Sequence, residues 1–319
     1  NEIETGDGTD SIRAGGGDNL IIAGGGRNSI TVGDGHNQLT GGDSDDRISA
    51  GDGNNITNAG DGRNTIKAGD GDNVVQTGSG KDDIRLGHGN NDVWSGGGDT
   101  RIASGNGDNF IVTHDGNDSI KLGDGTNIVS AGEGRNRVDI GKGESQVTTG
   151  DGDDTIRVKG RENTIDAGAG RNSITAANGD NLVTSGSGND TIKLGDGINQ
   201  IQDAGGDNKI SIGDGTANIE TGDGKDGVRI GDGTGVISTG NGDKKISAGD
   251  GVMSIVAGDG RNTISVGDGE NDIISGDGYN RIKAGDGQKQ ITVGDGNNYI
   301  RAGNGESLIT TGNGVNKIS

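Results

Sequence analysis

Residues Gly60–Ala68 read GDGRNTIKA, and the same nine-residue frame runs from Gly6 to Ser319 without one insertion or deletion. With Gly6 as position 1, Gly holds position 1 in 31 of 35 units and position 3 in 33, and Ile, Val or Leu holds position 7 in 34. So strict a period marks a solenoid, each unit being one turn and one short strand. Positions 1 to 4 form the turn, where Gly supplies backbone conformations that a side chain would strain. Positions 5 to 9 form the strand, with 7 inward, 6 and 8 outward, and 9 a half-buried slot for Ala, Thr, Ser, Val, Leu or Ile.

The composition excludes the common alternatives. The chain has 72 Gly, no Pro, no Cys and four aromatic residues, Trp94, Phe110, Tyr279 and Tyr299. Collagen needs a period of three with Pro, and a helix would not tolerate this much Gly. Zero Pro suits a backbone whose N–H groups have ladder partners. Without Cys there is neither a disulfide framework nor a thiolate metal site. No apolar run approaches membrane-spanning length, so no membrane insertion is expected. The formal net charge of −21 argues against nucleic acid and anionic membranes as partners and in favour of cations.

Position 5 sets the coil size. It is Asn in 20 units and Asp in seven, and the Asp residues are Asp10, Asp46, Asp82, Asp118, Asp154, Asp190 and Asp226, always 36 residues apart. A basic residue follows three later in six of the seven, as in Arg13, Arg85 and Lys121. Four units therefore form a higher-order repeat, which an 18-residue coil divides and a 27-residue coil does not. With two units per coil, odd units stack on one edge, alternating Asp with Asn or Thr100. The even edge reads Asn19, Asn37, Asn55, Asn73, Asn91, Asn109, Asn127, Ser145, Asn163, Asn181, Asn199, with no Asp. Alternation keeps odd-edge carboxylates about 9–10 Å apart rather than at one strand spacing.

Read this way, the chain resembles the haemolysin-type calcium-binding (RTX) repeat, G-G-x-G-x-D-x-U-x, with Gly186-Ser-Gly-Asn-Asp-Thr-Ile the best local match. The resemblance spans the whole chain. It implies an all-β, right-handed parallel β-roll with Ca²⁺ between successive turns, held by turn carbonyls and the position-5 Asp. The seven Asp residues are then the metal ligands, hard oxygen donors of the kind Ca²⁺ takes. The sequence departs from the family where Asn replaces that Asp. An amide oxygen carries no charge, so those turns either bind Ca²⁺ weakly or form a metal-free ladder of stacked Asn side chains.

Position 2 is Asp in 19 units. One reading makes it a turn residue bonding nearby backbone N–H groups. The other makes Asp7, Asp43, Asp115, Asp151 and Asp223 peripheral cation ligands. Between Gly213 and Ala257 position 5 becomes Ala217, Gly235, Lys244 and Met253, the expected weak stretch for metal or ladder. Lys159-Gly160-Arg161 loses both turn glycines, and Ile56-Thr57 displaces the aliphatic slot.

Nothing in the chain indicates catalysis. A groove would need insertions, and there are none. His36, His88 and His114 sit at unrelated positions of distant units, and the G-x-G strings lack the strand–helix context of a phosphate loop. Position 8 is too mixed for an ice-binding face. Both ends fall inside ordinary units, which suggests a single continuous solenoid over 1–319, a segment of a longer array or a filament stacking end to end or laterally. About 18 coils at about 4.8 Å each would measure on the order of 85 Å. The expected function is an extracellular structural repeat protein, such as a surface fibril, S-layer-like coat or adhesin stalk, with calcium ions and further copies of itself as partners. The alternative is a Ca²⁺-triggered folding and secretion module of a larger exported enzyme or toxin.

Overall fold

The computed structural model describes residues 1–319. The chain is all-β, with 36 short strands and no helix, hence no helix long and apolar enough to cross a membrane. It divides into two compact units, Asn1–Gly160 and Arg161–Ser319, with the boundary inside the Lys159–Arg161 irregularity.

In the first unit every pairing is parallel with an offset of 18 residues. Ile12 lies beside Ile30, Ile48 beside Ile66, and Ile66 beside Ile84. Strands therefore alternate between two sheets. The first sheet carries the odd repeats, from Ser11–Arg13 to Thr155–Val158; the second carries Glu2–Glu4, Leu20–Ile22 and the even repeats to Glu144–Thr149. The second unit repeats the plan within itself: Ile174 pairs with Ile192 among its odd repeats and Ile273 with Ile291 among its even ones. Each unit is thus a parallel β-solenoid of 18 residues per coil, the β-roll arrangement.

The core is the position-7 stripe. Ile30, Ile66 and Ile84 of one sheet and Ile21, Val93 and Ile111 of the other are fully buried. At the displaced slot Thr57 fills the inward position and Ile56 points outward at 52 % exposure, with the register intact. The inward slot is thus set by the backbone pleat rather than by hydrophobicity.

Coil stacking explains the glycines. Gly35 has φ +138°, a region open to Gly alone, and a Cβ there would press on the Gly17 carbonyl one coil away. The turns are laced together by the backbone, as where the Gly17 N–H donates to the Asp34 carbonyl at 2.7 Å. Position-2 side chains add a second lacing. Asp34 Oδ1 accepts the Asp52 N–H at 2.9 Å, Asp52 Oδ1 accepts the Asp70 N–H at 2.9 Å, and Asp70 Oδ1 accepts the His88 N–H at 2.7 Å.

Candidate metal centre

Position 5 opens each strand, and its side chain points back into the turn. At Asn turns the amide fills the space. Asn73 Nδ2 donates to the Gly69 and Gly71 carbonyls at 3.2 and 2.8 Å, which are positions 1 and 3 of its own turn. It also donates to Asn91 Oδ1 at 2.9 Å in the next coil. On the even edge of the first unit these side-chain bonds run Asn19–Asn37–Asn55–Asn73–Asn91–Asn109–Asn127, at 2.7 to 3.3 Å. The second unit has Asn163–Asn181–Asn199 at 2.7 and 2.8 Å. Ser145 and Ala217 follow these runs in sequence and carry no amide.

On the odd edge Asn262, Asn280, Asn298 and Asn316 repeat this amide run at 2.8 to 3.1 Å, but from Asp10 to Asp226 that edge is built differently. There the position-5 side chain accepts the N–H of the same position in the preceding coil. Asp46 Oδ1 accepts from Asn28 at 2.7 Å, Asp118 Oδ1 from Thr100 at 2.8 Å, and Asp190 Oδ1 from Asn172 at 2.7 Å. An Asp has no Nδ2 to offer the turn carbonyls, and its second oxygen is stranded. Oδ2 of Asp10, Asp46, Asp82, Asp118 and Asp190 is buried without a hydrogen-bond partner. Such an atom costs roughly 1–3 kcal/mol, more when charged. Burial accordingly pushes the Asp46 carboxyl up to about 6, against the pull of the Asn28 N–H. Burial also raises Asp82, Asp118, Asp154 and Asp190. Exposed turn carboxylates move the other way: Asp61, accepting the Ser79 N–H and hydroxyl, is held below the usual range.

Asp226 shows what such a turn accommodates. Lys244, position 5 of the next coil, reaches back so that Nζ lies 3.2 Å from the Gly222 carbonyl, 2.9 Å from that of Gly224 and 2.7 Å from Asp226 Oδ2. Neither side chain of this ion pair is exposed. The ammonium meets the position-1 and position-3 carbonyls that an Asn amide meets elsewhere, plus a carboxylate. Lys289 on the even edge makes a related arrangement, Nζ lying 2.7 Å from both the Gly287 and Asn304 carbonyls. The expected weak stretch is therefore filled rather than empty. At the even edge Met253 packs its sulfur beneath Gly235, and Ala217 and Met253 are buried, so apolar contact replaces the amides there.

The cradle has a further layer that the sequence pattern also carried. Position 9 beside the odd edge is Thr77, Thr113, Thr149, Ser185 and Thr221, each five residues before an Asp and again 36 apart. All five are buried, and Thr221 Oγ1 donates to Asp226 Oδ2 at 2.9 Å. Position 9 beside the even edge is instead Ala, Val, Leu or Ile at almost every coil, for example Val32, Leu86 and Ile140. Asp203 adds a carboxyl to the same odd-edge row. It accepts from Ser185 Oγ, Gly205 N–H and Asn208 Nδ2 at 2.7, 2.9 and 2.7 Å, and burial pushes it up to about 7.

The position-2 residues Asp7, Asp43, Asp115, Asp151 and Asp223 lie exposed on the turns, and Asp223 gives its Oδ1 to the Asn241 N–H at 2.6 Å. No three carboxylate or imidazole side chains converge anywhere in the chain. Any cation site here is one carboxylate, or two where Asp203 lies beside Asp190, among backbone carbonyls.

The RTX calcium-binding nonapeptide repeat (four copies) matches residues 4–39, 31–66, 67–102, 104–138, 148–183, 159–192, 254–288 and 291–319. The chain belongs to this RTX family. Its members bind calcium, and the donor set of the odd-edge turns, anionic and carbonyl oxygens, fits a hard cation. The longest stretch outside the RTX matches, 193–253, holds Ala217, Gly235, Lys244 and Met253. No curated protein and no solved structure matches the chain.

Proposed function

We propose that this RTX chain is an extracellular structural repeat protein whose odd edge is held together by Ca²⁺ at its Asp turns, and whose even edge and remaining odd turns are held largely by Asn side chains. The observation that carries the reading is Lys244: a buried ammonium sits against the Asp226 carboxylate and two turn carbonyls, so the turn is built for a cation. Asp10, Asp46, Asp82, Asp118, Asp154 and Asp190 are the turns that would take the cation from solution. Bound Ca²⁺ would neutralise the buried carboxylates and tie neighbouring coils together. A single continuous solenoid, part of a surface fibril, coat or stalk with copies assembling end to end or laterally, belongs to the same proposal.

A second reading is favoured by the stranded Oδ2 atoms, which penalise the metal-free fold. It makes the chain a calcium-triggered folding and secretion module of a larger exported enzyme or toxin. Circular dichroism with and without a chelator tests the common core of both. Loss of β signal on removing calcium is expected. An unchanged signal would leave the Asn edge as the sole support and overturn the calcium reading. Electron microscopy then separates them, since fibrils are expected only of the structural protein.

A further inference from the structure

The two sheets turn chemically opposite faces to solvent. Sixteen of the 28 Lys and Arg residues occupy outward positions 6 and 8 of odd repeats, eight in each unit and all exposed, and the even repeats have none at the equivalent positions. Of the other twelve, ten lie at positions 1 to 4 of the turns, and Lys244 and Lys289 are buried at position 5. The second sheet instead presents apolar side chains, Ile56, Trp94, Phe110 and Ile128 among them, with a few carboxylates. Taken over all units, positions 6 and 8 average to an ordinary solvated mixture. Separated by sheet, one strip is cationic although the chain as a whole carries −21.

Within the first unit the strip is continuous. Arg47, Lys67, Arg85, Arg101, Lys121, Arg137 and Arg157 come from seven successive coils of the first sheet, paired strand to strand at 18-residue offsets. The spacing is one cation per strand separation, about 4.8 Å, over roughly 29 Å. The only acids on this face are Asp83 and Asp139, each beside an Arg of its own strand, Arg85 at 2.7 Å and Arg137 at 3.9 Å. Arg101 also lies in register with Asp83, and Lys121 and Arg157 with Asp139, while Arg47 and Lys67 have no acid in register beside them, so seven cations face two carboxylates.

We propose that this strip binds a linear acidic polysaccharide laid along the solenoid axis. A single flexible polyanion fits a row only one strand wide, about three residues or roughly 10 Å, bordered on both sides by acidic turns. A nucleic-acid duplex or a flat anionic membrane would spread over those turns and meet their carboxylates. Single-stranded nucleic acid would want aromatic stacking platforms, and the first-unit strip carries no aromatic residue. Membrane docking would place apolar side chains beside the cations, whereas here they lie on the opposite sheet.

The test uses the full chain in millimolar calcium, with fluorescent oligogalacturonate and dextran sulfate as carboxylated and sulfated probes and neutral dextran as control. Binding to one or both anionic probes is expected, weakening as salt rises, with no binding to neutral dextran. Which probe binds more tightly identifies the anionic group. The variant Arg47→Ser, Lys67→Ser, Arg101→Ser, Lys121→Ser should bind at least about tenfold more weakly. It should keep its circular dichroism spectrum, since Ser11 and Ser29 already occupy this face. Changing Gln38, Gln76 and Gln146 of the opposite sheet to Ser should leave affinity unchanged. No binding to either anionic probe, equal binding by the Ser variant, or tighter binding of duplex DNA would each overturn the proposal.

Discussion

Lys244 Nζ and Asp226 Oδ2 lie 2.7 Å apart with both side chains wholly buried, one coil separating them in the stack. The pair places a positive charge among the carbonyl and carboxylate oxygens of a repeat turn, and it does so without metal. At Asp10, Asp46, Asp82, Asp118 and Asp190 the same carboxylate stands with one oxygen unpaired.

Removing the ammonium should therefore expose a cation site. Lys244→Ala leaves the Asp226 charge buried and should cost about 3–5 kcal/mol in calcium-free urea denaturation. Added Ca²⁺ should recover part of that loss, and the double variant Lys244→Ala, Asp226→Asn should recover much of it without calcium. An equal loss with and without calcium would separate Asp226 from metal binding.

Asp118→Asn should act in opposite senses in the two conditions. Its Oδ1 can still accept the Thr100 N–H, while a new Nδ2 can reach the His114 and Gly116 carbonyls, as Asn136 Nδ2 reaches those of Gly132 and Gly134. Without calcium the variant should gain about 1–3 kcal/mol, because a buried unpaired oxygen is removed. In saturating calcium it should be less stable than the parent and bind one ion fewer by calorimetry.

The pH dependence of the metal-free chain follows from the raised carboxyls. Asp46, at about 6 when folded against an ordinary value of 3.8, binds a proton in the native state that the unfolded chain gives up. Its contribution is fully present below about pH 4 and is lost as pH rises through about 6, a change on the order of 2–3 kcal/mol. Asp203, at about 7, extends the loss toward neutrality. Urea midpoints of dialysed, metal-free protein should fall from pH 4 to pH 7. With Ca²⁺ the slope should reverse, since the ion binds the deprotonated carboxylate.

The even edge should ignore calcium. Asn73→Ala deletes bonds to Gly69, Gly71 and Asn91 and leaves Asn55 Nδ2 without its Asn73 acceptor. A loss of about 1–3 kcal/mol is expected, equal in chelator and in calcium. A loss confined to calcium-loaded protein would place metal on this edge.

Much of the architecture is legible in the residues, because a nine-residue frame without gaps leaves few backbones to choose from. The 36-residue spacing of Asp10 to Asp226 selects the 18-residue coil, and Ile12 beside Ile30 has that offset. Three things escape a unit-by-unit reading. Lys244 looks like a lost ligand because its side chain acts one coil back, on Asp226. The Thr77–Thr221 hydroxyl row and the cationic strip from Arg47 to Arg157 emerge only when odd and even units are read separately. Identical positions of the motif face different neighbours on the two sheets.

Calcium stoichiometry, measured by equilibrium dialysis of metal-stripped protein at neutral pH, tests the central claim most directly. Binding should saturate at no more than six ions per chain, one for each Asp turn without its own ammonium: Asp10, Asp46, Asp82, Asp118, Asp154 and Asp190. Saturation near one ion per nonapeptide, or no uptake at millimolar calcium, would contradict it.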